Sequence, residues 1–509
     1  MNIAKLLSTI DAPHRPALIL PDGSSVTFHQ LDEMTARLAA GFQKAGLQMG
    51  ERVVVLAPIS LYLYAALIAL FRLGAAAVFL DPQAGFRQLE RAATVADARA
   101  FIGSRKALWL KWLSPALRRI PITILADGRG TNSLWRLAQS PTPLRAITEV
   151  DAEAPVLITF TGGSTDAGGP RAVSRTHRLL ASQHAALSRA LPIQPGDVDM
   201  PAFPVATLHN LAAGVPSVIP DFPFRRPQAV RPEKVLAQIE RHGVTTASGS
   251  PAYWWAIAAD CARRGVTLPL RRIVTGGAPV APRLVERLKQ VAPQAEILCV
   301  YGSTEAEPVA VISGAEILAE TAALTARGAG IPLGHPVPDV AVRLLDEQFN
   351  EQSIGQVGEI WVAGEHVARS YFANPQADAH YKQRDATGRL WHRMGDLAYQ
   401  DQHGRLWLAG RVHTIVVRAG KTIYPVPVEA LVATLPFVHR AALIGLPDPQ
   451  LGQRTCLTVE LSADVPANWQ EQLKALCAKH GWTIDVVRSI RHMPVDARHN
   501  TRIDYKRLK

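Results

Sequence analysis

Thr159-Phe160-Thr161-Gly162-Gly163-Ser164-Thr165-Asp166-Ala167-Gly168-Gly169-Pro170-Arg171 is the stretch around which this chain is organised. Val156, Leu157 and Ile158 lead into it, so the run leaves a buried strand. Glycines let backbone N–H groups approach an anion closely and form a concave nest. Thr161, Ser164 and Thr165 add hydroxyl donors, and Arg171 closes the run with a fixed charge suited to phosphate oxygens. This is the composition of a loop that holds a polyphosphate. It is not a Walker A loop, because no Gly-Lys-Ser/Thr opens a helix after it. Taken alone, the same residues also describe a Gly/Ser surface turn, and the rest of the chain has to decide between the two.

The 509 residues are enough for several cores. Hydrophobic residues make up 48% and charged residues 19%, which is the balance of a globular protein and excludes a disordered one. The net charge of +12 favours anionic partners. No Lys/Arg tract interleaved with aromatics forms a nucleic-acid groove, so no nucleic-acid partner is expected. Cys261, Cys299, Cys456 and Cys477 are far apart and form neither a CxxC pair nor a Cys/His metal cluster. Reduced thiols in a cytoplasmic protein are the expectation. Met1–Leu7 carries no signal-peptide pattern, and the apolar run Ile59–Phe71 is too short to span a bilayer.

Upstream of the loop, Pro16–Leu20 and Ser25–Thr27 flank a Pro-Asp-Gly turn, and Thr27 with Gln30 forms a capping-box pattern before a helix that Gly46 should stop. Val53–Leu56 and Ala76–Leu80 read as strands on either side of a buried helix over Ile59–Arg72. This alternation means βαβ units and a largely parallel sheet. Residues 107–119 combine tryptophans with cations, as does either an ordinary amphipathic helix or one resting on a membrane. Downstream, Pro232 opens a helix that Gly243 closes. Strands at Val244–Ala247, Ile273-Val274 and Glu296–Val300 then end in Ser248-Gly249-Ser250-Pro251, Thr275-Gly276-Gly277-Ala278-Pro279 and Tyr301-Gly302-Ser303-Thr304-Glu305. In open α/β sheets the ligand site lies at such carboxyl ends. From about residue 340 short strands and turns follow, and beyond Gly410 the pattern is a separate α+β lobe.

In this order, these motifs resemble the adenylate-forming superfamily of acyl-CoA synthetases, peptide-synthetase adenylation domains and luciferases. The resemblance covers essentially the whole chain. The loop at 159–171 stands where the family has its phosphate signature, Gly276–Pro279 where it has the adenine loop, and Tyr301–Glu305 where it has Tyr-Gly-x-Thr-Glu. Gly330–Pro336, Gly358-Glu359, Met394-Gly395-Asp396 and Gly410-Arg411 complete seven motifs in sequence. Phe71–Gly74, Phe101–Gly103, Pro195–Asp199, Ser217–Asp221, His392–Asp396 and above all Pro494–Asn500 are most similar to the olefin-biosynthesis β-lactone synthetases.

The resemblance implies an α/β fold. A large N-terminal domain of stacked αβ sheet subdomains and a β-rich subdomain would span 1–410. A small mobile α+β lid would span 411–509, with its hinge near 411–413. The implied reaction joins an acyl carboxylate to the α-phosphate of ATP and releases pyrophosphate. Thr161, Gly163, Ser164, Thr165 and Arg171 would hold the β/γ-phosphates, Glu305 Mg²⁺, and Thr304 the α-phosphate. Gly277, Ala278, Pro279, Tyr301 and Gly302 would frame adenine, Asp396 would accept from the ribose hydroxyls, and Arg411 would reach ribose or phosphate. Arg502 stands where the lactone synthetases carry the lysine that steers adenylation, with Lys506 as a nearby substitute. His209, beside Asn210, would face the acyl pocket as a base or hydroxyl anchor. The acceptor stays open between an internal β-hydroxyl, coenzyme A and a carrier protein. A fatty or aromatic acid ligase and a relative that only binds nucleotide or acyl ligand are the other readings. Peripheral membrane or biosynthetic-partner contact and the oligomeric state are likewise open.

Three features depart from the family pattern. Gly162 replaces a serine, Asp166–Gly169 lengthens the phosphate loop by two residues, and arginine replaces lysine at 171 and 502. Arginine keeps the charge but changes reach and fork geometry.

Overall fold

Short apolar strands alternate with helices over the first third of the chain, and the alternation builds a sheet whose neighbours run parallel. The computed structural model describes the chain except residues 9, 11, 82–84, 162–170, 225, 227–228, 463 and 497–501. Gly163, Ser164 and Thr165 therefore lie outside the described residues, as does Asp166. Among the described residues the strands form sheets of fourteen, six and five members.

The six-stranded sheet runs Ile122–Leu125, Ala100–Gly103, Arg52–Leu56, Ala76–Phe79, Pro155–Thr161, Arg171–Thr176. Its neighbours are parallel except the last pair, which is antiparallel with Thr161 opposite Arg171 and Thr159 opposite Val173. The helix Leu61–Leu73 is apolar on every side and correspondingly buried all round. Ser60 caps its start by accepting from Leu63 N, and Gly74 ends it at φ +76°. Its single charge, Arg72, is 2% exposed. That guanidinium pairs with Asp32 and donates to Ser8 Oγ (3.0 Å) and the Arg145 carbonyl (2.7 Å). Among the described residues no helix is long and apolar enough to cross a membrane. The predicted capping box of Thr27 and Gln30 is present.

The large sheet changes character midway. Asp199–Pro201, Thr246–Gly249, Arg272–Gly276 and Glu296–Ser303 are parallel neighbours. Ala306–Ser313 then turns back antiparallel, and the order continues through Ile331–Pro336, Leu406–Arg411, Leu390–Gln400, Gly358–Ala363 and Ala341–Leu345. The strand expected to stop at Val300 thus runs on to Ser303 as half of a hairpin. Gly302 permits this, because a Cβ there would meet the Ala306 carbonyl oxygen at 2.8 Å. The strand expected at 244–247 begins two residues later.

The C-terminal five-stranded sheet joins Lys421–Ile423, Val416–Arg418, Gly452–Leu461, Val438–Asp448 and Val486–Ile490, covered by helices Pro425–Val432 and Trp469–Lys479. The first helix opens on Pro425, since proline is tolerated in an opening turn. The chain's end packs back on it: Tyr505 donates its hydroxyl to the Glu429 carboxylate, both oxygens at 2.9 Å.

Burial pushes the Glu429 carboxyl from an ordinary 4.5 up to about 7. A carboxyl raised by folding contributes stability that is complete below its unfolded pKa and is lost as pH rises through the folded value. In Glu429→Gln that loss is absent. The melting temperature of the variant minus that of the parent should therefore increase between pH 5 and pH 8. A difference that stays flat with pH would refute the assignment.

Candidate active site

A cavity of about 1940 Å³ opens at the carboxyl ends of the parallel strands, and its wall combines polar and apolar regions. Gly276 and Gly277 form part of the polar wall. A Cβ on Gly276 would sit 2.4 Å from the Val300 carbonyl oxygen, and Gly277 has φ +80°, so glycine is required at both.

Glu305 and Thr304 end the hairpin turn at this wall. The segment after Val367 is stitched to both neighbouring elements. Ala368 N donates to the Glu305 carbonyl (2.7 Å) and Phe372 N to that of Ala172 (2.7 Å). That stitching brings the Tyr371 hydroxyl to Glu305 Oε1 at 3.0 Å. Lys382 Nζ lies 5.4 Å from the Tyr371 ring centre, and the Arg171 guanidinium 4.9 Å from that of Tyr381. Burial opposes ionisation of Glu305, but the attraction of His392 and Lys382 and the Tyr371 hydrogen bond outweigh it and leave its pKa below the ordinary value. Burial holds His392 down to about 3, so at neutral pH Lys382 supplies the lasting charge. Lys382 itself is lowered by burial to about 8. Arg175, two residues beyond Val173 on the strand that begins at Arg171, donates to Thr159 Oγ1 (3.1 Å) and to the Thr304 carbonyl (3.3 Å).

A second polar group joins three strands of the large sheet. Asp396 is buried and receives the Tyr301 hydroxyl on Oδ2 (2.7 Å) and Arg411 Nε on Oδ1 (2.9 Å). Both oxygens are therefore engaged, and a ribose diol reaching Asp396 has to share or displace these donors. From the chain's end, Arg502 Nε donates to the Gly277 carbonyl at 2.9 Å. Lys506 lines the same cavity.

The apolar region includes Leu67, Phe71, Leu157, Leu187, Phe203 and Phe224. Two histidines interrupt it. His209 on the helix Pro204–Ala212 and His184 on the helix His177–Ala190 approach Nδ1 to Nδ1 at 3.0 Å. Burial lowers both pKa values, that of His209 to about 3 with His184 adding repulsion. Both rings are neutral at physiological pH. One Nδ1 must donate to the other, so the pair offers one Nε2–H donor and one bare Nε2 acceptor. Asn210 faces elsewhere and donates to Asp199 Oδ2 (2.8 Å) and Ser217 Oγ (3.0 Å). Burial raises Asp199 to about 6 against those bonds and that of Thr246.

Of the residues expected from sequence, Arg171, Gly277, Gly302, Thr304, Glu305, His209, Arg411 and Arg502 line this one cavity. Asp396 stands immediately behind its wall, paired with Arg411, and Tyr301 behind it donates its hydroxyl to Asp396. Ala278 and Pro279 follow Gly277 away from it, Pro279 being exposed. Sequence reasoning missed Arg175, Tyr371, Lys382 and His184. Arg175 shares a strand face with Arg171, a two-residue period that was readable. His184 belongs to the stripe Leu180, His184, Leu187 at helical spacing. Tyr371 and Lys382 carried no such signal.

The AMP-binding enzyme family model matches residues 10–372. An olefin beta-lactone synthetase of Stenotrophomonas maltophilia is 36% identical over 510 residues, which covers 95% of this chain and 90% of that protein. One of Xanthomonas campestris pv. campestris is 34% identical over 513 residues with the same coverage. The crystal structure of ATP-bound MatB from Rhodopseudomonas palustris superposes with a TM-score of 0.85 at 21% identity, over 100% of this chain and 98% of that one, a likeness of fold.

Lys382→Met removes the cation that keeps Glu305 ionised. The acid limb of the pH profile for ATP–pyrophosphate exchange should move upward by about one unit. An unmoved limb would show that Lys382 does not hold this carboxylate.

Proposed function

Because this chain belongs to the AMP-binding enzyme family, and is thus an ATP-dependent adenylate-forming enzyme, we propose that it activates a β-hydroxy acid and closes it to a β-lactone. A carboxylate oxygen attacks the α-phosphorus of ATP and pyrophosphate leaves. The β-hydroxyl oxygen then attacks the acyl carbon, AMP leaves, and the hydroxyl proton passes to a base. Supporting this reading are the two relatives named above, which cover nearly the whole chain.

One structural observation carries it: the neutral His184–His209 pair stands in the apolar region of the cavity that also holds the polar residues. A bare imidazole nitrogen accepts from a substrate hydroxyl, and the pair is uncharged, so it does not repel or trap ions there. Folding the acyl chain so that hydroxyl and acyl carbon approach supplies the rest.

The triphosphate charge falls to Arg171, Arg175 and, from the lid, Arg502. Glu305 is the residue to hold Mg²⁺, which when bound neutralises phosphate charge. An ionised hard oxygen fits that ion. Among the described residues no three His, Cys, Asp or Glu gather to hold a metal alone, which matches an ion completed by phosphate oxygens. Thr304 faces the α-phosphate, Gly277 and Tyr301 the adenine, and Asp396 the ribose. In this reading residues 411–509 act as the lid with its hinge at 411–413. The Arg502–Gly277 bond supports it, because it brings the end of the lid onto the adenine loop.

With ATP, Mg²⁺ and racemic β-hydroxy acids of varied length, AMP and β-lactone should appear without any thiol, as mass analysis would show. AMP that forms only with coenzyme A or a carrier protein would make it a ligase. ATP binding without pyrophosphate release over the whole panel would make it a binding protein. In His209→Phe, lactone formation should fall about 10²-fold while pyrophosphate exchange with the same acid stays within about threefold. An equal loss in both would refute a role for the pair in closure.

A further inference from the structure

The helix Arg105–Leu113 has two faces with different surroundings. Lys106, Ala107 and Leu110 line the cavity. Trp109, Trp112 and Leu113 are 70%, 64% and 57% exposed. The two indoles meet edge to face, 6.5 Å between ring centres. Among the described residues no other segment of this length exposes three large apolar side chains. A helix merely packed on the body would turn its tryptophans inward; this one keeps its largest apolar groups in water.

Within the segment that carries this patch the charged side chains have one sign, while two carboxylates from outside it meet its backbone: Asp127 Oδ1 accepts from Arg105 N (2.9 Å) and Glu90 Oε2 from Ala116 N (3.2 Å). From Ala98 to Ala126 the chain carries Arg99, Arg105, Lys106, Lys111, Arg118 and Arg119 and no Asp or Glu. Arg105, Lys106, Arg118 and Arg119 are exposed. Lys111 is used otherwise: its Nζ donates to the Ile120 carbonyl (2.7 Å) and lies 5.7 Å from the Phe101 ring centre. That ties the helix to the sheet behind it and presents the indole pair at a fixed angle.

We propose that this face docks on an anionic lipid surface. Trp109, Trp112 and Leu113 enter the headgroup boundary, where amphipathic indoles settle, and Arg118 and Arg119 with their neighbours meet the lipid phosphates. Docking stands on the exposed side chains alone. Its use rests on reading the cavity's apolar region as the acyl site: the helix that touches lipid is then a wall of that site, and a long-chain acid partitions into the adjacent bilayer.

The test uses the full chain and vesicles of phosphatidylcholine, alone or mixed with phosphatidylglycerol. Sedimentation should bring down about tenfold more protein with the anionic vesicles, and added salt should reverse the gain. Trp109→Ser with Trp112→Ser should lose the binding, while pyrophosphate exchange with a short soluble acid stays at the parental rate and shows that the variant is folded. Parental protein that stays in the supernatant, or a double variant that sediments as the parent does, would overturn the proposal. So would self-association of the parent that the double substitution abolishes, which would assign the face to a second copy of the chain.

Discussion

A half-buried carboxylate that must stay ionised is the constraint on which this molecule turns. Glu305 sits at the cavity wall, partly withdrawn from water, where a charge is costly unless paired and hydrogen-bonded. The groups that keep it charged come from other parts of the chain: Tyr371 from the segment after Val367 and Lys382 from the next strand. Each is delivered by main-chain bonds between elements distant in sequence, such as Ala368 N to the Glu305 carbonyl and Phe372 N to the Ala172 carbonyl. The six-stranded sheet and the large sheet are therefore sewn together at the point where the negative charge is held. Losing one stitch would leave a charge without its partner.

The same seam divides the cavity by polarity. Toward Glu305 it is lined by cations, glycines and hydroxyls. Away from it the wall is leucine and phenylalanine, broken by two histidines that burial keeps neutral. At the far side the chain's last residues close the polar end: Arg502 bonds the Gly277 carbonyl, while Tyr505 is anchored on Glu429. Asp396, Tyr301 and Arg411 tie three strands of the large sheet together through a single carboxylate.

Local patterns predicted elements well and their ends less well. The buried helix expected over Ile59–Arg72 spans Leu61–Leu73, because a continuous apolar run marks a buried element but not its ends. The strand at 296 was read three residues short, because nothing local says that Tyr301–Ser303 will find a hydrogen-bonded partner in Ala306–Ala310. The sequence at 107–119 suggests a single helix, either packed on the body or resting on a membrane. It is two short helices with exposed indoles, and only the position of the sheet behind them decides which face is left outside.

The sequence by itself determined the family and the order of its motifs, because close backbone approach demands glycine at set places. Gly277, Thr304, Glu305 and Arg502, named from the resemblance, line the cavity, and Asp396 stands behind its wall. Only the tertiary structure decided which groups set the charge states. Lys382 beside Glu305, His184 against His209 and Tyr505 on Glu429 join residues with no common local pattern. Their pKa values follow from burial and from neighbours that the fold, and not the chain order, supplies.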